Sequence, residues 1–378
     1  MKRTLLLFFA LLGLSSLGAQ TAVKGIDWES PVLLGQGNSA AGISGGWDAL
    51  FTNPALFASK KGEVTALSVG GGGVIDPYAL YADMKKDGKK ILPSILEQVT
   101  DHGLGGRAQI GLGWVGRGWG VGLAVTANTD VPKAETVAGA TVNIDTNTAL
   151  IFGYSHRFEL GDNLHLDVGG DLRTQVKVFL RDVNLQDILG AVNSQYPSAY
   201  IVQTFDDVLF GWGIGGDVGV AVKWGMLRGS LAFRDIGHTR YFTTKTTLAQ
   251  LVQFKLGSKV SERYMVPMTM RFGLAFDPGW ELVNPKVHAE YIQPLASKAL
   301  LATSSYGNWL TRLNIGTEVS ISKVIDLRAG LRGGYLTAGF GLDFLLFELN
   351  AAVWGQESGF YLGESPQVAG AVEIAFRY

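Results

Sequence analysis

From Arg312 to Ile321 the residues Leu313, Ile315, Thr317, Val319 and Ile321 share one parity, while Arg312, Asn314, Gly316, Glu318 and Ser320 share the other. Successive side chains of a strand point to opposite faces, so this stretch has one apolar and one polar face. Ile325, Leu327, Ala329 and Leu331 alternate in the same way with Asp326, Arg328, Gly330 and Arg332, and Leu336, Ala338, Phe340, Leu342 and Phe344 with Thr337, Gly339, Gly341 and Asp343. Leu164, Leu166 and Val168 alternate with His165, Asp167 and Gly169. A soluble β-sandwich alternates too. The segments here, however, run to about ten residues, the length that crosses a bilayer at a tilt, against about 5–6 for ordinary strands. Their polar faces also carry full charges beside glycines, which suits a crowded polar lumen.

The pattern predicts an all-β chain, a transmembrane antiparallel β-barrel of about fourteen strands. The expected strands are roughly 62–70, 104–115, 117–128, 146–158, 163–179, 207–223, 226–235, 263–277, 284–293, 309–321, 324–332, 334–344, 346–355 and 368–378. The connections sort by parity. One set is short: Gly116 and its neighbours, Leu160 to Asn163, Gly225, Pro278 to Val283, Ser322 with Lys323, and Leu345. The other set is long, at about 71–103, 129–145, 180–206, 236–262, 294–308 and 356–367, apart from the tight Gly333-Gly334 turn. Short periplasmic turns and long extracellular loops produce this sorting, and a sandwich does not.

Two of the long loops carry helical spacing. Tyr78 to Val99 holds Leu80, Met84, Ile91, Ile95 and Val99, interrupted by Gly88 and Pro93, and Arg181 to Tyr196 starts near Asp182 and holds Val183, Ile188, Leu189 and Val192. Trp114, Trp119, Trp212, Trp224, Phe233, Trp309, Trp354, Phe360 and Tyr361 fall near strand ends, where amphipathic rings settle at a membrane interface. The last strand places Val372, Ile374, Phe376 and the terminal Tyr378 on one parity. Such an aromatic ending resembles the signal read by the outer-membrane barrel insertion machinery.

Composition narrows the class further. The 378 residues include 32 Lys plus Arg and 33 Asp plus Glu, a net charge of −1 that offers no basic field to nucleic acid. Charged residues make up 17% of the chain, below the roughly 25% of soluble domains, so much of the surface need not face water. The absence of cysteine excludes disulfides, thiolate nucleophiles and zinc–thiolate sites. Lys2 and Arg3 precede an apolar run from Leu5 to Leu14 and the small residues Ser15, Ser16, Gly18 and Ala19, the layout of a secretory signal peptide. Cleavage is expected after Ala19, although Leu17 fits the −3 position poorly. The expected organisation is therefore a signal peptide over 1–19, a plug or hatch segment over 20–60 and a transmembrane barrel over 61–378.

Residues 25 to 60 are rich in small residues and turn formers and have no sustained period. Gly37 to Gly46 lead into Asn53, Pro54 and Ala55 just before the first strand. Pro54 holds φ near −65° and biases Asn53 away from helix, which makes a rigid turn. A small-residue run, an Asn-Pro-Ala triplet and then barrel strands resemble the amino-terminal hatch of the FadL-type outer-membrane transport proteins. The resemblance is local, over about 30–60, and architectural beyond. It implies a cell-outer-membrane channel for uptake of hydrophobic small molecules such as fatty acids, with outer-membrane lipid, the hydrophobic ligand and the insertion machinery as partners. It also implies release of the ligand sideways where a strand kinks, and Pro132, just past the third strand, falls either at such a kink or in a loop. Leu80, Tyr81, Ile91, Ile95, Tyr200, Tyr241 and Phe242 are the candidates for lining an apolar external site. The alternative is a non-transporting barrel that serves as an assembly, secretion or adhesion partner.

Chemistry finds little footing. His102, His156, His165, His238 and His288 sit in separate elements without ligand spacing, His156 and His165 alone flanking one turn beside Asp167, and no Ser-His-acid grouping stands out. Gly70 to Gly73 lack the Lys-Ser/Thr of a phosphate loop. No enzyme, cofactor or metal is expected. Arg312, Glu318, Asp326, Arg328, Arg332, Asp343 and Glu348, joined by Arg377, are of mixed sign and are expected to neutralise one another in the lumen.

Overall fold

The computed structural model describes residues 20–22, 25–26, 28–43, 45–59, 61–74, 103–132, 136, 139–196, 200, 207–253, 255, 257–260, 263–295, 309–357, 363 and 366–378. The expected signal peptide over 1–19 and the expected helix over Tyr78 to Val99 lie outside these residues. Fourteen of the eighteen strand segments form the wall: β1 (Glu63–Val74), β2 (Leu104–Gly116), β3 (Trp119–Val131), β4 (Thr141–Gly161), β5 (Leu164–Asn184), β6 (Val208–Trp224), β7 (Leu227–Arg234), β8 (Thr269–Phe276), β9 (Val283–Pro294), β10 (Leu313–Ile321), β11 (Ile325–Arg332), β12 (Tyr335–Phe344), β13 (Phe347–Glu357) and β14 (Pro366–Arg377). Each pairs antiparallel with the next, and β14 returns to β1 with Ala369 opposite Val74 and Phe376 opposite Leu67, so the sheet closes. Closure leaves no edge of unpaired amides to face hydrocarbon. The register joins the first wall strand to the last, with the Val64 amide donating to the carbonyl of Tyr378 at 2.8 Å.

Two faces follow from the period of two. Leu172, Ile214, Leu274 and Phe152 point outward and are more than half exposed, as members of a continuous apolar belt. The residues of opposite parity point inward, where Arg173, Gln175 and Lys177 of β5 are each about 1% exposed. An apolar belt around a closed barrel is a surface made for lipid tails. The polar face of every strand therefore solvates the interior.

The six short turns all lie at one end of the cylinder. Arg117-Gly118, Asp162-Asn163 and Gly225-Met226 are two-residue connections, and Arg117 and Gly118 both adopt positive φ (54° and 91°), the backbone whose twist suits a tight hairpin. The strand ends that lead into the long connections lie at the other end, together with the tight Gly333-Gly334 turn, as the parity of loop lengths predicts.

Strand boundaries differ from expectation in one region. β4 and β5 have 21 residues each, so the expected loops over 129–145 and 180–206 are shorter than the pattern suggests. Beyond the apolar alternation the ladder continues from Ile144 opposite Leu180 to Thr141 opposite Asn184, because polar inward positions such as Asp145 and Asn147 belong to a lumen rather than to a loop. The helix after β5 is α1 (Leu185–Asn193), capped by the Asn184 side chain, which accepts from the Gln186 amide, and not by Asp182. The expected loop over 236–262 contains a strand, Thr239–Thr246, that continues β7, and a short helix α2 (Leu248–Val252) with a reciprocal Thr247–Gln250 cap.

Replacing Leu172 with Arg places a charge in the belt and should cost about 2–4 kcal/mol of folding stability in lipid vesicles. Urea-dependent refolding into vesicles measures it.

Candidate functional site

The described residues of 25–59 lie inside the barrel and run from the long-loop end to the short-turn end, where the Gly118 and Arg117 amides donate to the carbonyls of Phe57 and Ser59 at 2.8 Å each. The segment holds a single turn of helix, Pro31–Gly35, and three 3₁₀ turns, Ala40–Gly42, Trp47–Phe51 and Pro54–Ala58. So little regular structure leaves many backbone groups without a ladder partner, and wall side chains supply the partners. Glu290 accepts from the Ala40 amide at 2.9 Å, Gln175 from Ile26 at 3.2 Å and Glu63 from Trp47 at 2.9 Å. Thr337 accepts from the Gly37 amide and donates to the Gly35 carbonyl, and Gln109 pairs with both the amide and the carbonyl of Glu29.

The apolar side chains of the segment make a core inside the cylinder. Trp28 stacks on Phe51 at 5.4 Å and meets Trp47 edge-on at 5.2 Å, and Leu50, Leu56 and Phe57 complete the cluster against Val115, Ala124, Ala149 and Ile151 of the wall. Burial of each large side chain contributes about 1.5–3 kcal/mol. Glycines and alanines on the inner face make room for it. An added Cβ at Gly120 would meet the Phe57 ring at 2.7 Å, and one at Gly316 would lie 2.1 Å from the Gln36 carbonyl.

Asn53, Pro54 and Ala55 form the start of the last 3₁₀ turn. The Asn53 side chain accepts from the Ala55 amide at 2.9 Å, and its Nδ2 faces the Val220 carbonyl of β6 at 3.4 Å. All three residues are buried, and a Cβ on Gly219 would sit 1.9 Å from Asn53 Oδ1. The triplet thus caps its own turn and seats it on a glycine of the wall.

Nearer the short-turn end, Asp48 accepts from Ser30 at 2.8 Å while its second oxygen has no partner among the described residues. Burial, reinforced by the charge of Glu373 and opposed by Arg377, pushes its carboxyl up to about 7. Arg377 bonds both Glu348 and Glu373, and Ser68 donates to Glu373 at 2.7 Å.

Of the charges expected to form a lumenal network, Glu318, Asp326 and Arg328 come together. Arg328 bonds each carboxylate at 2.7 Å, and Lys286 bonds Glu318 at 2.7 Å. Glu348 joins through Arg377. Arg312 lies apart in a 3₁₀ turn before β10, with Gln293 at 2.6 Å, Asp343 is in none of these pairs, and Arg332 stacks over Trp354 at 5.8 Å. Trp354 itself is buried in the lumen instead of at an interface, since its parity is that of Asn350 and Ala352. Asp167, beside His165, is engaged by Arg157 at 2.7 Å.

The expected lining residues scatter. Tyr241 points inward and donates to Gln175 at 2.8 Å, whereas Phe242, of opposite parity, is 64% exposed on the outer face and stacks on Trp212 at 4.7 Å. Tyr200 lies beside Gly190 of α1. Leu80, Tyr81, Ile91 and Ile95 lie outside the described residues. Pro132 follows β3, whose ladder with β2 is complete from Leu104–Val131 to Gly116–Trp119, so the third strand has no kink there.

Besides short register shifts in β1, β4 and β14, the wall has a longer irregularity after β7. Residues 235–238 bulge opposite Pro267 and Met268, with positive φ at Asp235, Gly237 and His238, before Thr239–Thr246 resumes pairing with β6 and with Arg263–Val266. A buried ionic cluster holds the bulge from within: Asp217 accepts from Arg173 at 2.5 Å, from Arg234 at 3.2 Å and from the Asp235 amide at 2.8 Å. Asp171, two residues from Arg173, has neither oxygen bonded among the described residues. Alternation in the sequence marks these residues as inward, but nothing in it marks the bulge except the turn-forming Asp235, Gly237 pair.

At the long-loop end lies a cavity of about 860 Å³, lined among others by Glu29, Arg107, Asn128, Phe179, Arg332 and Trp354. No protein-family model matches the sequence, and no curated protein matches it. Solved structures similar to this one include the Pseudomonas putida toluene transporter TodX, with 12% identity over 95% of this chain and 98% of that one and a TM-score of 0.47. The Ralstonia pickettii toluene transporter TbuX shares 11% identity over 93% and 98%, with a TM-score of 0.48. A Pseudomonas aeruginosa FadL homologue shares 10% over 95% and 99%, at 0.45. The likeness is one of architecture.

Two outcomes are expected. Gly219→Val should unseat the Asn53 turn and destabilise the folded protein by about 1–3 kcal/mol, read by urea unfolding. Asp48 has a folded value above its ordinary 3.8, so its contribution to stability is complete below that value and is lost as pH rises through about 7. Asp48→Asn should flatten the fall in thermal stability between pH 4 and 7, read by melting at both ends of that window.

Proposed function

We propose that the chain is a cell-outer-membrane channel of FadL type for the uptake of hydrophobic small molecules, fatty acids among them, with residues 20–60 as its plug. The observation that carries this reading is the combination of a packed core across the lumen and an irregular stretch of wall. The core around Trp47 and Phe57 lies across the lumen, which in this reading closes a straight aqueous path, while residues 235–238, which follow β7, lack regular ladder pairing. A molecule that enters at the long-loop end and prefers hydrocarbon to water then has a sideways route into the bilayer. The short-turn end is periplasmic in this reading, and the exposed Phe376 and Tyr378 at the chain end are what the insertion machinery would engage.

The resemblance of the Gly37 to Ala55 stretch to a FadL-type hatch supports the same reading. In this reading the exit is at 235–238 rather than near Pro132, because β3 pairs regularly with β2 up to Val131.

The test uses cells whose outer membrane carries lipopolysaccharide, since a plain phospholipid bilayer is itself permeable to apolar probes. Entry of N-phenylnaphthylamine, read by its fluorescence, should be several times faster with the protein than without it. Deleting Gly237 and His238, which shortens the bulge, should return entry towards background with the barrel still inserted. Equal entry with and without the protein contradicts uptake and favours a partner role.

A further inference from the structure

We propose that the short-turn end holds a binding site for a small multivalent oxyanion, inorganic phosphate or a phosphate monoester, which clasps the foot of the lumenal segment to β5, β6 and β7. The inference goes beyond the uptake reading and does not depend on it. A cavity of about 390 Å³ lies at this end. Lys61, Arg157, His165, Lys223 and Arg228 line it with a single carboxylate, that of Asp167. Arg157 holds both oxygens of Asp167 at 2.7 Å, so these two charges answer each other. Lys61, Lys223 and Arg228 are left without a carboxylate partner among the described residues.

The register makes this arrangement unfavourable on its own. On the inner face Lys223 of β6 is directly opposite Arg228 of β7, with His165 of β5 on its other side. Like charges directly opposite each other on neighbouring strands destabilise a sheet. Two like-signed pairs elsewhere on the inner face each have a counter-charge: Arg173 and Arg234 bond Asp217, which is opposite Asp171, and Arg377 bonds Glu348, which is opposite Asp343. No carboxylate among the described residues does this for Lys223 and Arg228. Asp277, whose charge also reaches Arg228, accepts from Asn284 and from the Gly279 amide. Glu159, opposite His165, is exposed at the end of β4, where water solvates it.

Arg228 gives the site a fixed part. It is 8% exposed, and its Nη1 donates to the Ile43 carbonyl at 2.5 Å, which holds the guanidinium against the lumenal segment. Its other N–H groups have no acceptor among the described residues, and the exposed side chains of Lys61 and Lys223 share its cavity. A phosphate has enough acceptor oxygens to take the guanidinium fork and both ammonium groups at once, and its double charge relieves the opposition between the strands. Chloride supplies neither the geometry nor the charge. Leu56 and Ser59 line the same cavity, so an anion seated there ties the end of the lumenal segment to the wall. These side chains point into the lumen, away from bilayer headgroups, and the anion therefore reaches them from solution.

The experiment is calorimetric titration and urea unfolding of the full-length protein in a maltoside detergent at pH 8, with sodium chloride holding the ionic strength constant. Inorganic phosphate and glycerol 1-phosphate should both bind and raise the urea midpoint, and the tighter of the two identifies the free ion or the ester as the occupant. Lys223→Gln, at an exposed position, should weaken phosphate binding roughly tenfold, and Arg228→Lys should weaken it through loss of the fork. Lys323→Gln, in the neighbouring acidic cavity at the same end, should leave it within about twofold. Lys223→Glu supplies the missing carboxylate from the chain itself. Without phosphate it should unfold at a higher urea concentration than the parent, and phosphate should then add nothing. No binding of phosphate, binding indifferent to Lys223→Gln, an equal loss in Lys323→Gln, or a Lys223→Glu variant less stable than the parent without phosphate overturns the site.

Discussion

Every peptide group in hydrocarbon needs a hydrogen-bond partner, and that constraint arranges the rest of this molecule. The fourteen wall strands meet it by closing on themselves through β14 and β1. The lumenal segment cannot meet it in that way, because it has almost no ladder of its own. Glu290, Thr337, Gln109, Gln175 and Glu63 therefore serve as its partners, and the polar inner face exists as much to solvate this segment as to line a passage. The same arrangement explains the composition. Charge that would be unusual on a lipid-facing protein is confined to one parity, and small residues are placed where the segment comes closest.

Inside this frame the charges have unequal duties. Near the short-turn end Arg328 and Lys286 balance Glu318 and Asp326, and Arg377 bridges the two carboxylates of Glu348 and Glu373. Arg173, Asp217, Arg234 and Asp235 instead hold a defect open, since their bonds converge on the bulge that interrupts β7. Truncating one member of a buried pair leaves the other uncompensated, so the bulge is not an incidental loop but a fixed feature of the wall.

Much of this was legible in the residues. Period-two alternation located all fourteen wall strands, and the parity of loop lengths identified the two ends, because both follow directly from a sheet with one wet and one greasy face. The inward placement of Glu318, Arg328 and Glu348 follows from the same alternation. What alternation does not carry is pairing across strands far apart in sequence. Asp217 meeting Arg173 and Asn53 meeting Gly219 depend on the register and on the path of a segment without period. The reaches of β4 and β5 toward the long-loop end carry polar inward residues, a pattern that a sequence shares with loops. The aromatic identity of Trp354 and Phe242 is informative only once the facing of each is known, and the structure turns Trp354 inward and Phe242 outward.

The claim at the centre is that the segment over 25–59, held by wall side chains, seals an otherwise open cylinder. Electrical conductance across a planar bilayer tests it most directly, with insertion checked by heat-modifiable gel mobility. The intact protein should show no sustained current, and a variant lacking residues 25–55 should give steady ohmic openings. Comparable steady current through the intact protein, or a closed barrel after the deletion, would contradict the account.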